Sequence, residues 1–511
     1  MELPKEASGP LSGNWLKWLL VAGIDLALLY VITLMYVQGE TLFALVILIL
    51  GSIGTWVFTS KQCYNFRYVY PSLLGIVMFV VFPLLYTVTI AFTNYSSTNL
   101  LTFDRVKAIH LAKTYKAEGA GYKFGLFKEG DKLQLSLENK KDSTEHFVTE
   151  PFILSSDTGS VAASTDIATA GSKLTLRDVI KLRKDLKEIA IILPDQRQLK
   201  MSGLREFSAL FPLYKEGEQG ELINNKTGEI LKPDFEQGFY VTESGQTVAP
   251  GFSVYVGWDN FVKVLTDPSI QGPFFKIFVW TVLFAGLTVI FTLVIGLLMA
   301  SLVQWEPLKE SGIYRVLLIL PYAVPAFISI LVFKGLFNQN FGEINMVLEA
   351  LFGIKPEWMT NEYMAKAMIL IVNSWLGYPY MMILCMGLLK AIPGDLYEAS
   401  AIDGAGPWHN LRHITMPMII KPLAPLLIAS FAFNFNNFVL ISLLTGGGPN
   451  MIGSAANAGA TDILVSYTFR IAFGSYGQDF GLASAIAALI FLVVGFIAWA
   501  NLKATRNLQE Q

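Results

Sequence analysis

The sequence predicts an all-α polytopic membrane protein of eight transmembrane helices, with a soluble insert that is β-rich and of mixed α/β character. The first observation is composition: 53% of the 511 residues are hydrophobic, and the mean hydropathy is +0.48. Such values are typical of chains with several membrane spans. The second is charge distribution, because residues 95–270 contain 22 of the 38 Lys and Arg and 24 of the 40 Asp and Glu. This charged segment indicates a water-exposed domain between spans.

Eight apolar runs are long enough to cross a hydrocarbon core of about 30 Å, which takes about 20 helical residues. The first is too long for a cleaved secretory signal, and a second follows after a three-residue turn, which indicates an uncleaved helical hairpin. Pro422, Pro425 and several asparagines dilute the seventh. The predicted spans are 15–37, 41–59, 69–93, 275–304, 314–337, 367–391, 418–444 and 480–501.

These spans divide the chain into four predicted domains. They are an N-terminal transmembrane hairpin with a cytoplasmic loop (1–68), a third transmembrane helix (69–94), the insert (95–272) and a C-terminal helical core (273–511).

The short loops predict the orientation, because Lys and Arg of short loops accumulate on the cytoplasmic side. With eight spans, the short segments that carry the basic residues given below fall on one face, so both termini are expected to be cytoplasmic. The long insert lies outside and is exempt from this rule. The basic residues are Lys5, Lys17, Lys61, Arg67, Lys309, Arg315, Lys390, Arg412, Lys421, Lys503 and Arg506.

Two local patterns characterise the insert. Residues 122–127 and 132–138 predict a β-hairpin around Lys128-Glu129-Gly130-Asp131, since Leu133, Leu135 and Leu137 alternate on one face. Residues 175–191 predict a helix, with a capping box between Thr175 and Asp178. Its apolar side is formed by Leu176, Ile180, Leu186 and Ile189.

A polar segment, residues 398–417 (EASAIDGAGPWHNLRHITMP), separates two apolar runs. It predicts two short helices hinged at Gly404-Ala405-Gly406, with Pro407 at the first position of the second helix. We call this segment the elbow. A rigid elbow between spans is suited to contact with another protein, and the alternative is an ordinary loop.

The elbow resembles the signature loop of binding-protein-dependent ABC importer permeases: Glu-Ala-Ala, three residues, Gly, nine residues, Ile-x-Leu-Pro. Ser400 replaces the second Ala of that pattern, and Met416 replaces the Leu. The resemblance implies that the elbow docks in a cleft of a cytoplasmic ATPase. The residues implied in coupling to the ATPase are Glu398, Ala399, Ser400, Gly404, Ile414 and Pro417.

The eight-span plan with its large insert, and the segments at 317–330, 373–406 and 429–440, resemble the larger permease subunits of bacterial maltose/maltodextrin importers. The resemblance implies a multi-pass protein of the bacterial inner membrane with a periplasmic insert. It also implies four partners: a smaller MalG-like permease, two copies of a MalK-like ATPase, a periplasmic maltose-binding protein and the sugar itself. Importers of another oligosaccharide remain an alternative.

The residues also weigh against other classes. The net charge of −2 gives no electrostatic case for nucleic acid. The sequence lacks the phosphate-binding loop of nucleotide hydrolases, so ATP and Mg²⁺ are expected on a partner, and no cofactor on this chain. An ion-coupled symporter, the other alternative, would use ionisable residues within its spans, and Asp25 is the clear candidate.

Enzyme chemistry and metal binding are not expected, because the four histidines lie outside the spans and no metal or nucleophile motif occurs. The histidines are His110, His146, His409 and His413. Cys63 lies in a basic loop and Cys385 in an apolar run, which predicts neither a disulfide nor a metal site.

The seventh span contains groups suited to a sugar, namely amides for hydroxyls and aromatic faces for pyranose rings. In a continuous helix, Ser430, Phe433, Asn434 and Asn437 share one face, and Asn436 points away. Asparagine in membrane helices also joins neighbouring helices, so that role remains the alternative.

Prolines predict distortion in two further spans. Pro321 and Pro325 kink the fifth span, and Gly377-Tyr378-Pro379-Tyr380 repeats the theme in the sixth. Position by position, the resemblance places the sugar-binding residues at Tyr322, Gly377, Tyr380, Ser430, Phe433, Asn434 and Asn437. Ala326 departs from the family pattern, which has Ser there. The preferred oligosaccharide length is therefore left open.

Overall fold

The structure, a computed structural model, describes residues 14–509 except 143, 155–158, 196, 306, 455–457 and 475–477. Lys5 and both chain ends, which the sequence predicts to be cytoplasmic, lie outside these residues. The chain forms two compact units, one up to Ala91 and one from Phe92 onward.

The first unit contains three apolar spans close to the predicted positions. A tight turn, in which Gly39 has φ +88°, joins the first two helices. They are also joined within the membrane, since the Thr55 hydroxyl donates to the Asp25 carboxylate over 2.7 Å. The elements are α1 (Asn14–Val37), α2 (Thr41–Thr59), α3 (Phe66–Ile76), a π-helical turn (Val77–Val81) and α4 (Phe82–Ala91).

The insert contains two β-sheets, of eight and five strands, with short helices between them. The larger sheet has the order β2-β3-β4-β6-β7-β8-β1-β5, and the smaller β13-β12-β11-β10-β9. The strands are β1 (Thr114–Glu129), β2 (Lys132–Asn139), β3 (His146–Thr149), β4 (Ser160–Ser164), β5 (Ser172–Lys173), β6 (Ala190–Ile192), β7 (Gln198–Gly203), β8 (Glu206–Pro212), β9 (Tyr214–Glu216), β10 (Leu222–Asn224), β11 (Ile230–Asp234), β12 (Phe239–Val241) and β13 (Thr247–Val248). The helices of this region are α5 (Phe103–Leu111), α6 (Leu176–Lys181), α7 (Arg183–Glu188), a 3₁₀ turn (Glu218–Gly220) and α8 (Asp259–Thr266).

The predicted hairpin is confirmed. β1 pairs antiparallel with β2, Glu129 faces Lys132, and Gly130 adopts φ +61° in the turn. The first part of β1 pairs with β8 as well, so the larger sheet closes on itself through one long strand. The alternating leucines Leu133, Leu135 and Leu137 are buried in its core.

The single helix predicted at 175–191 is wrong. The chain forms α6 and α7, which Leu182 separates at φ −89° and ψ 3°, and then β6. The capping interaction is present, because the Asp178 carboxylate accepts from the backbone N–H of Thr175 over 3.3 Å. The three isoleucines at 189, 191 and 192 favour a strand, and the helix ends before them, since β6 pairs with parallel β4 and buries Ile191 in the sheet core.

The C-terminal part is a helical bundle in which α9 and α13 approach closely. A side chain at Gly296 would meet Met381 at 2.7 Å, so glycine lets the two backbones come together. The helices are α9 (Pro268–Val303), α10 (Ser311–Ala323), α11 (Ala326–Leu336), α12 (Glu343–Phe352), α13 (Glu362–Ala391), α14 (Gly394–Ile402), α15 (Pro407–Asn410), a π-helical turn (Leu411–Thr415), α16 (Met416–Phe435), α17 (Phe438–Leu444), α18 (Leu464–Phe473) and α19 (Phe480–Gln509).

Among the described residues, seven helices are long and apolar enough to cross a membrane, or eight if the bent pair α10–α11 is one span. This agrees with the predicted polytopic protein carrying a β-rich insert. The term "all-α" applies only to its membrane spans. Two predicted spans are not continuous helices. Span 314–337 bends by 90° between α10 and α11, and span 418–444 is interrupted at Asn436 and Asn437.

The insert is predicted to fold alone, because its larger sheet has its own apolar core. The isolated segment 95–270 is expected to unfold cooperatively in urea. Leu135→Ala should lower its free energy of unfolding by about 2–5 kcal/mol, since Leu135 is fully buried. The exposed Leu204 supplies the control, where Leu204→Ala should cost about 0.5 kcal/mol or less. A non-cooperative transition would contradict an independent domain.

Candidate functional site

The bend between α10 and α11 is the first special feature of the bundle. Val324 is extended at φ −86° and ψ 131°, and Pro325 begins α11 by accepting hydrogen bonds from Ile328 and Ser329 at 3.0 and 3.3 Å. The helix is thus broken at Pro325, which supplies no backbone donor, whereas Pro321 lies within α10. Tyr322 lies beside this break and is 59% exposed.

The sixth span, α13, is a continuous helix that includes Pro379. Its Gly377 packs against α9, where an added Cβ would lie 2.8 Å from the Thr292 methyl group. The Tyr378 hydroxyl donates to the Leu318 carbonyl of α10 over 3.0 Å, which joins the two helices. Tyr380 is exposed. The glycine therefore permits close helix packing, and the tyrosine is accessible.

The predicted single helical face in the seventh span needs correction. Because α16 ends at Phe435, Asn437 lies outside it and begins α17, where its side-chain oxygen accepts from the Leu440 N–H over 3.3 Å. Phe433 is 70% exposed, whereas Asn434 is 6% exposed. The helix ends here because two consecutive asparagines compete for backbone hydrogen bonds.

A buried amide network nevertheless joins the two asparagines through a third, Asn373 of α13. Asn373 Nδ2 donates to Asn434 Oδ1 over 2.8 Å and to Thr288 Oγ1 of α9 over 3.2 Å. Asn437 Nδ2 donates to Asn373 Oδ1 over 3.4 Å. The network therefore connects α9, α13 and the α16–α17 junction.

Ser430 completes this network, since the Asn434 amide donates to its carbonyl over 2.8 Å. Both ends of the Asn434 amide thus have protein partners, which is the helix-joining role considered as an alternative from sequence. Asn436 is exposed and donates instead to the Ala432 carbonyl over 3.2 Å. Sequence reasoning missed Asn373, although a lone Asn in an apolar helix is a signal for an interhelical polar contact.

These residues offer two kinds of chemistry. The exposed rings of Tyr322, Tyr380 and Phe433 can contact the apolar face of a sugar ring, because aromatic faces favour such contacts. The amides of Asn434 and Asn437 can bind hydroxyls if their contacts with Asn373 exchange. In the described conformation, the amides hold helices together.

The elbow is the second candidate site. Here α14 ends at Ile402, Gly404 adopts φ +76°, and Pro407 starts α15. The prediction of two short helices is only half right. The second continues from α15 through a π-helical turn into α16, so that Pro407–Phe435 forms one helical run of 29 residues.

The elbow residues implied in ATPase coupling divide into two groups. Glu398, Ala399, Gly404 and Pro417 are exposed. Ile414 instead packs into the apolar cluster that contains Ile392 and Ile419, so it anchors the elbow to the bundle.

Two hydrogen bonds hold the bend. The Ser400 hydroxyl donates to Asn410, and Tyr397 and Thr415 share a hydroxyl contact of 2.9 Å. These bonds join α14, on one side of the bend, to the helical run that begins at Pro407 on the other side.

Two large apolar side chains project from the elbow tip. Ile402 is 88% exposed and Trp408 is 75% exposed. Sequence reasoning did not single them out, although a tryptophan in a polar loop is a signal for a contact surface. Together they give the elbow an exposed apolar tip, which is suited to contact with another protein.

The described residues contain no group of three or more His, Cys, Asp or Glu that could hold a metal ion. Cys63 and Cys385 are both buried and unpaired with each other. His409 and His413 stack at 4.1 Å on the elbow, and His110 is buried in the insert.

Loss of Asn373 should weaken the bundle, because it leaves the Asn434 oxygen and the Thr288 hydroxyl without this donor. Asn373→Ala is expected to lower the unfolding free energy of the detergent-solubilised chain by about 0.6–1.7 kcal/mol, the range of interhelical hydrogen bonds in membranes. SDS titration of the purified chain measures this. The exposed Asn436 gives the matched control, and an equal loss for Asn436→Ala would remove the special role of the network.

Three family models match the chain. "MalF, N-terminal region, transmembrane helices" matches residues 15–62, "Maltose transport system permease protein MalF P2 domain" matches 101–257, and "Binding-protein-dependent transport system inner membrane component" matches 292–503. Among solved structures, a bacterial ABC transporter involved in the import of alginate matches 50% of this chain and 84% of its own, with TM-score 0.42 and 19% identity.

Curated relatives match over almost the full length, and each is named "Maltose/maltodextrin transport system permease protein MalF". The Salmonella typhimurium protein is 54% identical over 96% of both chains. The Yersinia pestis protein is 55% identical over 96% of this chain and 94% of its own. The Escherichia coli protein is 53% identical over 96% of both. The chain therefore belongs to the MalF family of binding-protein-dependent transport permeases, multi-pass proteins of the inner membrane.

Proposed function

We propose that this chain is the permease subunit of an ATP-driven, binding-protein-dependent importer for maltose and maltodextrins. The observation that carries the proposal is identity of about 54% with permeases of that name over 96% of both lengths. A permease of this kind forms the membrane path for the substrate and is not the catalytic component.

A permease of an ABC importer works with an ATPase and a binding protein. In finer detail, the partners are a smaller MalG-like permease, two MalK-like ATPase subunits and a periplasmic maltose-binding protein. ATP and Mg²⁺ are then held by the ATPase subunits, consistent with the missing phosphate-binding loop in this sequence. Both termini are cytoplasmic in this arrangement, and the insert faces the periplasm.

The sugar path runs beside the broken span α10–α11 and the amide network. In the membrane, irregular backbone is tolerated where it lines a cavity or is buried in protein. Tyr322, Tyr380 and Phe433 stack on the sugar rings, whereas Ser430, Asn434 and Asn437 bind hydroxyls after leaving Asn373. Gly377 contributes by letting α13 pack closely against α9. Ala326 supplies no hydroxyl, so affinity and preferred chain length depend on the other groups.

The elbow is coupled to this path through one helical run. From Pro407 to Asn434 there are 27 residues, or roughly 40 Å at 1.5 Å per residue. A displacement that the ATPase imposes on the elbow therefore moves α16 as a unit and can exchange the partners of Asn434. An ion-coupled symporter is not favoured, because Asp25 lies in the N-terminal hairpin, where Thr55 binds it.

The first test concerns the sugar site. Asn437→Ala removes one amide contact, which is expected to cost about 1–3 kcal/mol and hence roughly 5- to 150-fold in sugar affinity. Phe433→Ala should lower uptake through lost stacking. Uptake of labelled maltose is measured in cells whose own permease is deleted, together with the amount of subunit in the membrane. Asn436→Ala is the control and should transport normally. The proposed site fails if Asn436→Ala alone abolishes uptake, or if uptake falls only in proportion to subunit amount.

The second test concerns the elbow. Trp408→Ala is expected to weaken association with the ATPase by roughly 5- to 30-fold, because an exposed aromatic residue at a docking surface commonly contributes more than about 1–2 kcal/mol. Glu398→Lys should act in the same direction. ATP hydrolysis stimulated by sugar and binding protein is measured in vesicles. The exposed Tyr363 at the start of α13 serves for comparison, and equal effects of Tyr363→Ala and Trp408→Ala would exclude a specific role of the elbow.

A further inference from the structure

The first unit contains a cavity of about 910 Å³ between α1, α2 and α3. Its size lies within the range of small-molecule sites, about 300–1,000 Å³. Most of its walls are apolar, and α2 lines it with Gly51 and Gly54. We call this cavity the hairpin groove.

The groove follows α1 for the depth of one membrane leaflet. Lys17 and Val31 both line it, and they are 14 residues apart, or roughly 21 Å along the helix. Half of a hydrocarbon core is about 15 Å thick. An acyl chain lying against α1 would therefore find mostly apolar contacts in its leaflet, with Asp25 and Thr55 as the polar lining residues between its ends.

One end of the groove carries positive charge. Lys17 lies near the start of α1 and Arg67 near the start of α3, and α2 runs between them in the opposite direction. Both cations are thus at the same membrane surface. The Arg67 guanidinium is held in place, because it donates to the carbonyls of Val57 and Ser60 over 3.2 and 2.9 Å.

Among residues 14–91, the described part of the first unit, no carboxylate lies beside these cations at that surface. Residues 14–91 contain two acidic residues, Asp25 and Glu40. Glu40 precedes α2 at the other end of the hairpin, and Asp25 lies eight residues beyond Lys17, roughly 12 Å deeper. The Asp25 carboxylate accepts from Thr55, so it has a partner within the helix pair.

The apolar wall and the basic mouth together define the ligand. We propose that the hairpin groove binds an anionic phospholipid, with its phosphate between Lys17 and Arg67 and an acyl chain along α1. Basic pockets between transmembrane helices recognise anionic headgroups, and guanidinium groups bind phosphate oxygens in pairs. A zwitterionic lipid binds more weakly, because Lys17 and Arg67 repel its own cationic group.

The same two cations exclude an ordinary apolar helix as the occupant, because it would cover them without neutralising them. The lipid would fill the space between the hairpin and α3 and so fix their packing. This role is independent of the sugar path.

The test uses the full-length chain in its native assembly, delipidated in detergent and titrated with dioleoyl phosphatidylglycerol or dioleoyl phosphatidylcholine. Bound lipid is counted by native mass spectrometry. The double variant Lys17→Gln/Arg67→Gln is expected to bind phosphatidylglycerol roughly 30-fold more weakly, because each cation near an anionic lipid contributes a factor of about five. Phosphatidylcholine binding should change little.

Lys61→Gln/Lys309→Gln is the matched control, with the same loss of charge at loop residues that do not line the groove. Its phosphatidylglycerol affinity should stay within about threefold, since exposed charges are screened. Equal losses in the two double variants, or none in either, would overturn the proposal. So would loss of an accompanying subunit with lipid binding unchanged, which would make the groove a protein interface.

The Arg67→Gln change also removes hydrogen bonds to Val57 and Ser60. A second pair of variants therefore tests the groove without changing Arg67. Ile24→Trp narrows the groove and leaves both cations in place, whereas Leu26 is exposed on the same helix but does not line the groove. Lipid binding should fall for Ile24→Trp and not for Leu26→Trp, and the reverse order would contradict the site. Sugar uptake is not the readout, so failure of transport does not bear on this result.

Discussion

The structure depends on one constraint: a backbone N–H or C=O at membrane depth must find its partner within the protein. Most of the spans meet it as unbroken helices. At the two interruptions, other groups of the protein act as the hydrogen-bond partners. Pro325 accepts from Ile328 and Ser329 at the α10–α11 bend, and the Asn437 side chain accepts from Leu440 where α16 ends. Irregular backbone therefore occurs at proline and asparagine residues, next to the side chains that can contact a substrate.

The same constraint explains why the amide network is buried between helices. Burying the amides of Asn373, Asn434 and Asn437 in an apolar environment costs free energy unless they are hydrogen-bonded. Asn373 donates to Asn434 and accepts from Asn437, so the amides act as partners for one another. A network of amides has more than one satisfactory arrangement, because an amide both donates and accepts. Under the proposed function, a sugar hydroxyl takes the place of one of these amide partners.

Continuity of the helical run from Pro407 to Phe435 links the exposed and buried parts. The elbow is held by Tyr397, Ser400 and Ile414, and its second arm continues without a break into α16. The π-helical turn at Leu411–Thr415 lies within this run. Such turns commonly mark functional positions in helices, and this one lies between the exposed tip of the elbow and α16.

The sequence by itself determined the approximate places of the spans, the inserted domain and the position of the elbow, because each depends on local composition. An apolar run of about 20 residues has one stable state in a membrane, and Gly404 followed by Pro407 ends one helix and begins another whatever surrounds them. The hairpin at Gly130 followed for the same reason, since alternating leucines and a turn are short-range signals. Family membership was also predictable, because the elbow pattern is contiguous in the chain.

Tertiary structure decided what depended on distant residues. The helix predicted at 175–191 gave way to β6, because pairing with β4 outweighed helical propensity. The face of Asn434 and Asn437 was mispredicted because a continuous helix was assumed, while their true connection is Asn373, more than 60 residues away. The hairpin groove likewise needs Lys17 and Arg67 from different helices. Periodicity assigns a face within one helix, but only packing decides which residues of separate helices meet.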